Sequence, residues 1–193
     1  FNRKLEPLEE VLSRGRVHPL HAQVAERIAD ESVTLVRNHG DVLPIRPVRY
    51  RKVVVLAPPG PFGKLLAKEP NTTVVEVPYV PSRERRNDDV QRAIELGRGA
   101  DLFVVAAVNR YHVEMAKSLM QAVPHVPMAL VSFASPYYLS TVPEVDAYVC
   151  TYSYLDDSQT AAAHGVLGHQ PMNGRLPVSI PGCLLYTSPS PRD

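Results

Sequence analysis

Apolar positions along the chain alternate between two periods. From Leu20 to Arg37 the residues Val24, Ala25, Ile28, Ala29, Ser32, Val33 and Val36 fall on one stripe, which predicts an amphipathic helix with Glu26, Arg27, Asp30 and Glu31 largely opposite. Asn38-His39-Gly40 reads as its C-terminal stop, and Asp41 to Ile45 as an extended, partly apolar crossing. Strand-like runs follow at Lys52–Ala57, Thr72–Val77, Asp101–Val108, Met128–Ser132 and Val145–Cys150. Between and after them, helical patterns occupy Phe62–Lys68, Asn87–Leu96 (capped by Asn87 or Asp88), about His112–Ala122 and about Ser158–Leu167.

Nearly continuous apolar strands separated by helices are the pattern of a parallel sheet buried on both faces. The fold class predicted is α/β: a three-layer sandwich whose mostly parallel sheet has five strands, or six, with helices on both faces. Residues 20–182 form this domain, with the alternation clearest from residue 40 onward, and no internal repeat is visible. Residues 1–19 read as the remnant of an inter-domain linker. Residues 183–193 (Cys183 to Asp193) fall outside the pattern and read as translated adapter or vector sequence, with a native Ser/Pro tail as the rival reading.

Charge and composition narrow the function. Of 193 residues, 21 are Lys or Arg and 20 Asp or Glu, a formal net charge of +1 that gives no support for a nucleic-acid binder. No apolar run approaches the roughly 20 residues of a membrane helix. Two cysteines are too few for a disulfide framework, and Cys150 ends an apolar run as a small core residue would. The 19 prolines mark many short element boundaries. The start, Phe1-Asn2-Arg3-Lys4, has neither an initiator Met nor an apolar signal core, so the chain reads as a piece of a longer one and assigns no compartment.

Local motifs yield no catalytic centre. Pro58-Pro59-Gly60-Pro61-Phe62-Gly63-Lys64 lacks the glycine spacing and the Ser or Thr of a phosphate loop, and its prolines remove the N–H groups that would cradle a phosphate. His112-Val113-Glu114 matches half of a zinc-deaminase signature whose cysteine half is absent. His18 and His21 are separated by Pro19 and have no third ligand, while His164 and His169 flank a helix end where an imidazolium suits the dipole. Ser132-Phe133-Ala134-Ser135-Pro136 is no nucleophile elbow; Ser135 reads as a helix cap with Pro136 in the first helical position. Asp88-Asp89 and Asp156-Asp157 read as capping or solvated turns, and Arg83-Glu84-Arg85-Arg86 as a solvated loop. No metal and no cofactor is expected.

Several segments taken in order do carry a resemblance. Residues Ala25 to Asn38, followed by Val42-Leu43-Pro44-Ile45, resemble the junction in glycoside hydrolase family 3, where a helix leaves the catalytic barrel and the chain crosses into a second domain. Ser135-Pro136-Tyr137-Tyr138-Leu139 is similar to the Gly-Ser-Pro-Tyr-[Asp/Glu]-Leu step of that family's β-N-acetylhexosaminidase branch, with Ala134 and Tyr138 departing from it. Pro143 to Tyr148, Thr151-Tyr152-Ser153 and Gly174 to Pro181 complete the order over about residues 20–181.

The resemblance implies a C-terminal, non-catalytic α/β-sandwich domain of a retaining β-N-acetylglucosaminidase-like enzyme acting on terminal N-acetylglucosamine. The family's nucleophile and proton donor lie in an N-terminal TIM barrel, so no catalytic residue is carried over. The partner implied is that barrel, with a carbohydrate as the intact enzyme's substrate. Ligands approach such sheets at the C-terminal ends of the strands, which makes Asn109, Arg110, Ser135 and Tyr137 the candidate substrate-binding residues. Their competing role is to cap helices or face the barrel. Two other readings stay open: an independent small-molecule or nucleotide-binding α/β protein, and a purely structural interaction module.

Overall fold

A computed structural model describes residues 19–180. The reading of residues 183–193 as a foreign tail, and all but the last residue of the 1–19 linker, lie outside these. Helix α1 (Pro19–Ser32) leads into strand β1 (Thr34–Asn38). Then follow β2 (Val53–Ala57), α2 (Pro61–Leu66), β3 (Thr72–Glu76), α3 (Arg83–Leu96), β4 (Leu102–Ala107) and α4 (Arg110–Ala122). β5 (Met128–Ser132), β6 (Ala147–Cys150) and α5 (Asp156–Leu167) complete the order.

The sheet has six strands in the order β1-β6-β5-β4-β2-β3. Every pair is parallel except β1 with β6, which is antiparallel. Alternate residues of each strand feed two separate cores. On one face Val53, Val55, Val104 and Val131 meet Ala29 of α1, Phe62 of α2 and Ala162 of α5. On the other, Val54, Phe103, Val105 and Leu130 meet Val90 of α3 and Met115 and Leu119 of α4. Strands β2, β4, β5 and β6 are buried at every position, as a sheet covered on both sides requires. The predicted three-layer α/β architecture is the one present.

Several boundaries differ from the sequence reading. The helix expected to reach Arg37 ends at Ser32, whose hydroxyl donates to the Ala29 carbonyl at 2.8 Å while the Thr34 hydroxyl donates to the Ser32 carbonyl at 2.8 Å. These local bonds compete with the helix ladder, and the β-branched run that follows pairs with β6 as the sixth strand. The expected stripe is thereby split: Val33 and Val36 are 0% and 7% exposed in and beside the sheet, whereas Val24 and Ile28 are 47% and 62% exposed on the helix. Asn38-His39-Gly40 is accordingly the end of β1 and a 3-10 turn (His39–Asp41), not a helix stop.

Helix α3 begins at Arg83, capped by the Ser82 hydroxyl, which accepts from the Arg85 N–H at 3.2 Å. The charged run Arg83–Arg86 is thus a first helical turn, and Asn87 and Asp88 are interior. Asp89 is buried, not solvated, with the Arg85 guanidinium at 3.0 Å. Helix α4 starts two residues earlier than expected, at Arg110.

Val33 lies beside the segment that follows α5. The Gly174 N–H donates to the Val33 carbonyl at 2.9 Å, and Thr34 forms a bridge with Asn173. A Cβ at Gly174 would come within 2.4 Å of the Thr34 hydroxyl, so this approach needs glycine.

Candidate functional site at the strand ends

All four candidate residues lie at the C-terminal edge of the sheet, on two loops that neighbouring strands bring side by side. β4 and β5 pair up to Ala107 opposite Ser132, so the chain leaves both strands at one level. Asn109 then caps α4, its side-chain oxygen accepting from the Tyr111 N–H at 3.0 Å. Its amide nitrogen reaches the other way and donates to the Tyr79 carbonyl at 2.5 Å. Ser135 caps the 3-10 turn Pro136–Ser140 as predicted, accepting from the Tyr137 N–H at 3.3 Å.

The Ser135 turn is fastened from below. Its carbonyl accepts from the Ser132 hydroxyl at 2.8 Å and from the Tyr148 hydroxyl at 3.1 Å, and Tyr148 also reaches the Pro136 carbonyl at 3.1 Å. Burial pushes the Tyr148 phenol far above its ordinary pKa, so it keeps the proton that it donates to these carbonyls. Burial likewise raises the neighbouring Cys150 thiol to about 12. Cys150 is a core residue with no thiolate chemistry near neutral pH.

Arg110 is exposed at the first position of α4. Its guanidinium lies 5.1 Å from the Tyr111 ring centroid, and Nη2 donates to the Tyr111 hydroxyl at 3.4 Å. Arg86 of α3 lies over the same ring at 4.6 Å and pairs with Glu114 at 3.1 Å. His112 is buried behind them; its Nε2–H donates to the Pro78 carbonyl at 3.1 Å, while Nδ1 has no partner among the described residues. Burial, opposed by that bond, lowers its pKa and keeps the ring neutral. His112 ties the β3 loop to α4 and belongs to no metal set; among the described residues no group of three or more His, Cys, Asp or Glu could hold a metal ion.

The edge carries exposed rings. Tyr79 (38% exposed), Tyr137 (48%) and Tyr154 (55%) follow β3, β5 and β6, with Val80 and Leu155 beside the first and last. The Tyr79 hydroxyl donates to the Pro59 carbonyl at 2.8 Å, linking the loops after β2 and β3. Tyr79 is absent from the residues that the sequence singles out, although it lies only three residues past the end of β3 and the same strand-end logic that selects Asn109 and Ser135 applies to it. Beyond β6, a groove of about 370 Å³ opens between α1 and the Thr151–Ser158 segment, with Ile28 and Leu155 on its walls and Tyr152 at φ 61° in its lining.

Chemically this edge can bind and position, and its described serines and aspartates have structural roles. The Ser132 hydroxyl is committed to a carbonyl and the Ser135 hydroxyl to an N–H. Asp156 and Asp157 stand consecutively in the first turn of α5, where they offset the helix dipole. Rings, a guanidinium and an amide on rigid loops are suited to hydrogen bonding and stacking against a polar, ring-shaped ligand.

A sheet ordered in this way, with helices on both faces and its open polar edge at the strand ends, defines an α/β-sandwich domain. Comparison with family models and with curated proteins finds no match, whereas solved structures match well. A glycoside hydrolase family 3 β-N-acetylglucosaminidase from Paenibacillus sp. str. FPU-7 is similar over 84% of this chain and 33% of its own, at 20% identity and a TM-score of 0.67. Beta-glucoside phosphorylase BglX is similar over 96% of this chain and 36% of its own, at 25% identity and a TM-score of 0.66. A fungal multi-domain family 3 β-N-acetylglucosaminidase matches 86% of this chain and 20% of its own, at 24% identity and a TM-score of 0.64. The chain therefore has the fold of an α/β domain found in family 3 glycosidase structures, and it spans about a third or less of the length of these chains.

Proposed function

We propose that this chain is the C-terminal, non-catalytic α/β-sandwich domain of a retaining family 3 glycosidase that removes terminal N-acetylglucosamine. Its partner is a TIM barrel of the same polypeptide. The observation that carries this reading is the match of 84% of the chain to one third of a β-N-acetylglucosaminidase, joined to the ordered motifs from Ala25 to Ile180. In such an enzyme one carboxyl group attacks the anomeric carbon and a second residue moves the proton, both within a few Å of the sugar. The barrel supplies those groups. This domain supplies a rigid wall: Asn109 and Ser135 set the loops, while Tyr137 and Arg110 present a ring face and a cation to the cleft. That placement lets binding energy from groups remote from the reacting bond orient the sugar.

The similarity to a phosphorylase at 25% identity favours a second outcome for the same architecture, transfer of the glycosyl group to phosphate in place of water. One experiment addresses both. The reading frame is extended upstream of Phe1, and the joined polypeptide and the 193-residue chain are assayed on an aryl N-acetylglucosaminide, with and without phosphate. The expected result is a barrel upstream, turnover by the joined polypeptide only, and free N-acetylglucosamine as the product. A sugar phosphate as product replaces hydrolysis by phosphorolysis. Turnover by the short chain after rigorous repurification, or an upstream sequence that encodes no barrel, overturns the proposal.

A further inference from the structure

The opposite edge of the sheet carries a feature that the sugar cleft does not use. Between Ile45 and β2 the chain reads Arg46-Pro47-Val48-Arg49-Tyr50-Arg51-Lys52, four cations in seven residues, and Arg98 lies beside it. Arg46, Arg49, Arg51 and Arg98 are exposed. None of these five cations has a carboxylate ion-pair partner among the described residues; the nearest acids by position are Asp41 and Asp101. The Asp101 carboxylate is turned to the backbone of the loop, one of its oxygens accepting the N–H of Arg51 at 2.7 Å and of Lys52 at 3.1 Å.

The loop is also rigidly built. Tyr50 is buried and its hydroxyl donates to the Val42 carbonyl at 2.9 Å, while Asn71 donates to the Tyr50 carbonyl at 3.0 Å. The Arg49 guanidinium lies 5.2 Å from the Tyr50 ring centroid and donates to the Gly40 carbonyl at 2.6 Å and to the Asp41 carbonyl. Lys52 Nζ donates to the Arg98 carbonyl at 2.9 Å, which pins the second cationic segment to the first. Arg46, Arg51 and Arg98 are left with guanidinium groups that make no hydrogen bond to the described residues. The backbone that carries these guanidinium groups is held in place, which lowers the entropic cost of gripping an anion relative to a floppy loop.

We infer that this loop is a contact site for an acidic polysaccharide. Three arguments choose that partner among polyanions. Base stacking needs an exposed ring, and Tyr50, the only aromatic residue of the loop, is 3% exposed, which disfavours single-stranded nucleic acid; the chain's net charge of +1 gives little long-range attraction to a duplex. A bilayer would be met by an apolar cluster, and Val48, although 95% exposed, stands alone. Carboxylate or sulfate groups spaced along a hydrophilic polymer match separate guanidinium forks. The inference rests on the proposed action on glycans. It places a second grip at the other end of β2, about 16 Å or more from the strand-end cleft, so that a polymeric substrate is held while its terminus is processed.

The test uses the full chain with polygalacturonate as probe, and uncharged dextran, phosphatidylserine vesicles and a short duplex DNA alongside. Polygalacturonate binding is expected to weaken about tenfold in Arg46→Gln/Arg51→Gln, with a salt dependence shallower by about one to two ionic contacts. The control Arg27→Gln/Arg92→Gln has the same net charge and should bind as the parent does. Equal weakening in the control, tighter binding to DNA or vesicles than to polygalacturonate, or no binding at low salt overturns the inference. Glycoside turnover by the extended polypeptide is measured without polyanion. Its absence sinks the proposed function, and intact turnover with no polygalacturonate binding sinks only the loop.

Discussion

Gly60 and Gln159 interlock across the strand-end edge: a Cβ on Gly60 would lie 2.1 Å from the Gln159 side-chain oxygen. Gln159 is buried, and its amide nitrogen donates to the Tyr154 carbonyl at 2.8 Å, so the side chain has little room to withdraw. The contact joins the loop after β2 to the start of α5. Gly60→Ala is therefore expected to cost about 1–3 kcal/mol, or a Tm lower by roughly 3–10 °C. Gln159→Ala alone should also destabilise, by losing its bond. The double variant should be less destabilised than the sum of the two; strict additivity in thermal denaturation would show that the two residues do not meet.

Tyr148→Phe keeps the packing of a fully buried ring and removes only the hydroxyl that holds the Ser135 and Pro136 carbonyls. A loss of about 1–2 kcal/mol is expected in urea denaturation. Hydrogen exchange should quicken at Tyr137 and Tyr138 while the amides of β4 stay protected. Unchanged exchange in that turn would show that Ser132 holds it alone.

These two sites show what a linear reading can reach. Strands β2, β4, β5 and β6 announce themselves as β-branched or apolar runs because both their faces are buried. β1 does not, because Ala29, Val33 and Val36 are spaced as a helix face would be although Ser32 ends the helix between them. The start of α3 is hidden for the opposite reason: Arg83 to Arg86 look like loop, yet the first turn of a surface helix is free to be charged once Ser82 caps it. Asn109 and Ser135 are legible as polar residues just past strand ends. Tyr79 and Tyr111 acquire their roles from Pro59, Asn109 and Arg86, contacts between loops and helices distant in sequence that no periodicity encodes.

Stability should fall with acidification through His112. Burial lowers its folded-state pKa beneath the ordinary value of 6.5, so below about pH 6.5 the unfolded chain binds a proton that the folded chain refuses. The contribution is constant above that pH and is lost as pH falls further, by up to about 1.4 kcal/mol per pH unit until the folded pKa is reached. His112→Gln should flatten this part of the urea-denaturation profile between pH 6.5 and more acid values. An unchanged slope in the variant would place the acid sensitivity elsewhere.

The two halves of the expected apolar stripe should respond oppositely to charge. Ile28→Glu substitutes a 62% exposed residue and should leave Tm nearly unchanged in thermal denaturation. Val33→Glu puts a carboxylate at a fully buried position and should prevent folding. A soluble, cooperatively melting Val33→Glu chain would mean that Val33 is not buried between α1 and the sheet.

Cys150 should be silent to thiol reagents in the native state. With burial raising its pKa to about 12, labelling at pH 8 must wait for opening of β6 from the sheet. Mass spectrometry of the Cys150 peptide should show a labelling rate set by unfolding and accelerated by urea. Immediate modification without denaturant would contradict the burial.

The meeting of Val33 with Gly174 gives the body a mechanical polarity. The end of α1 and the segment around Gly174 meet at one corner, beside the antiparallel β1–β6 ladder, so tension applied at Gly174 acts on that corner first and leaves the rest of the sheet slack. Antiparallel strands pulled from adjoining ends unzip bond pair by bond pair, whereas parallel strands deeper in the sheet must slide past one another all at once. Force applied at Gly174 would open its contacts with Val33 and Thr34 before it reached the five mutually parallel strands β2–β6.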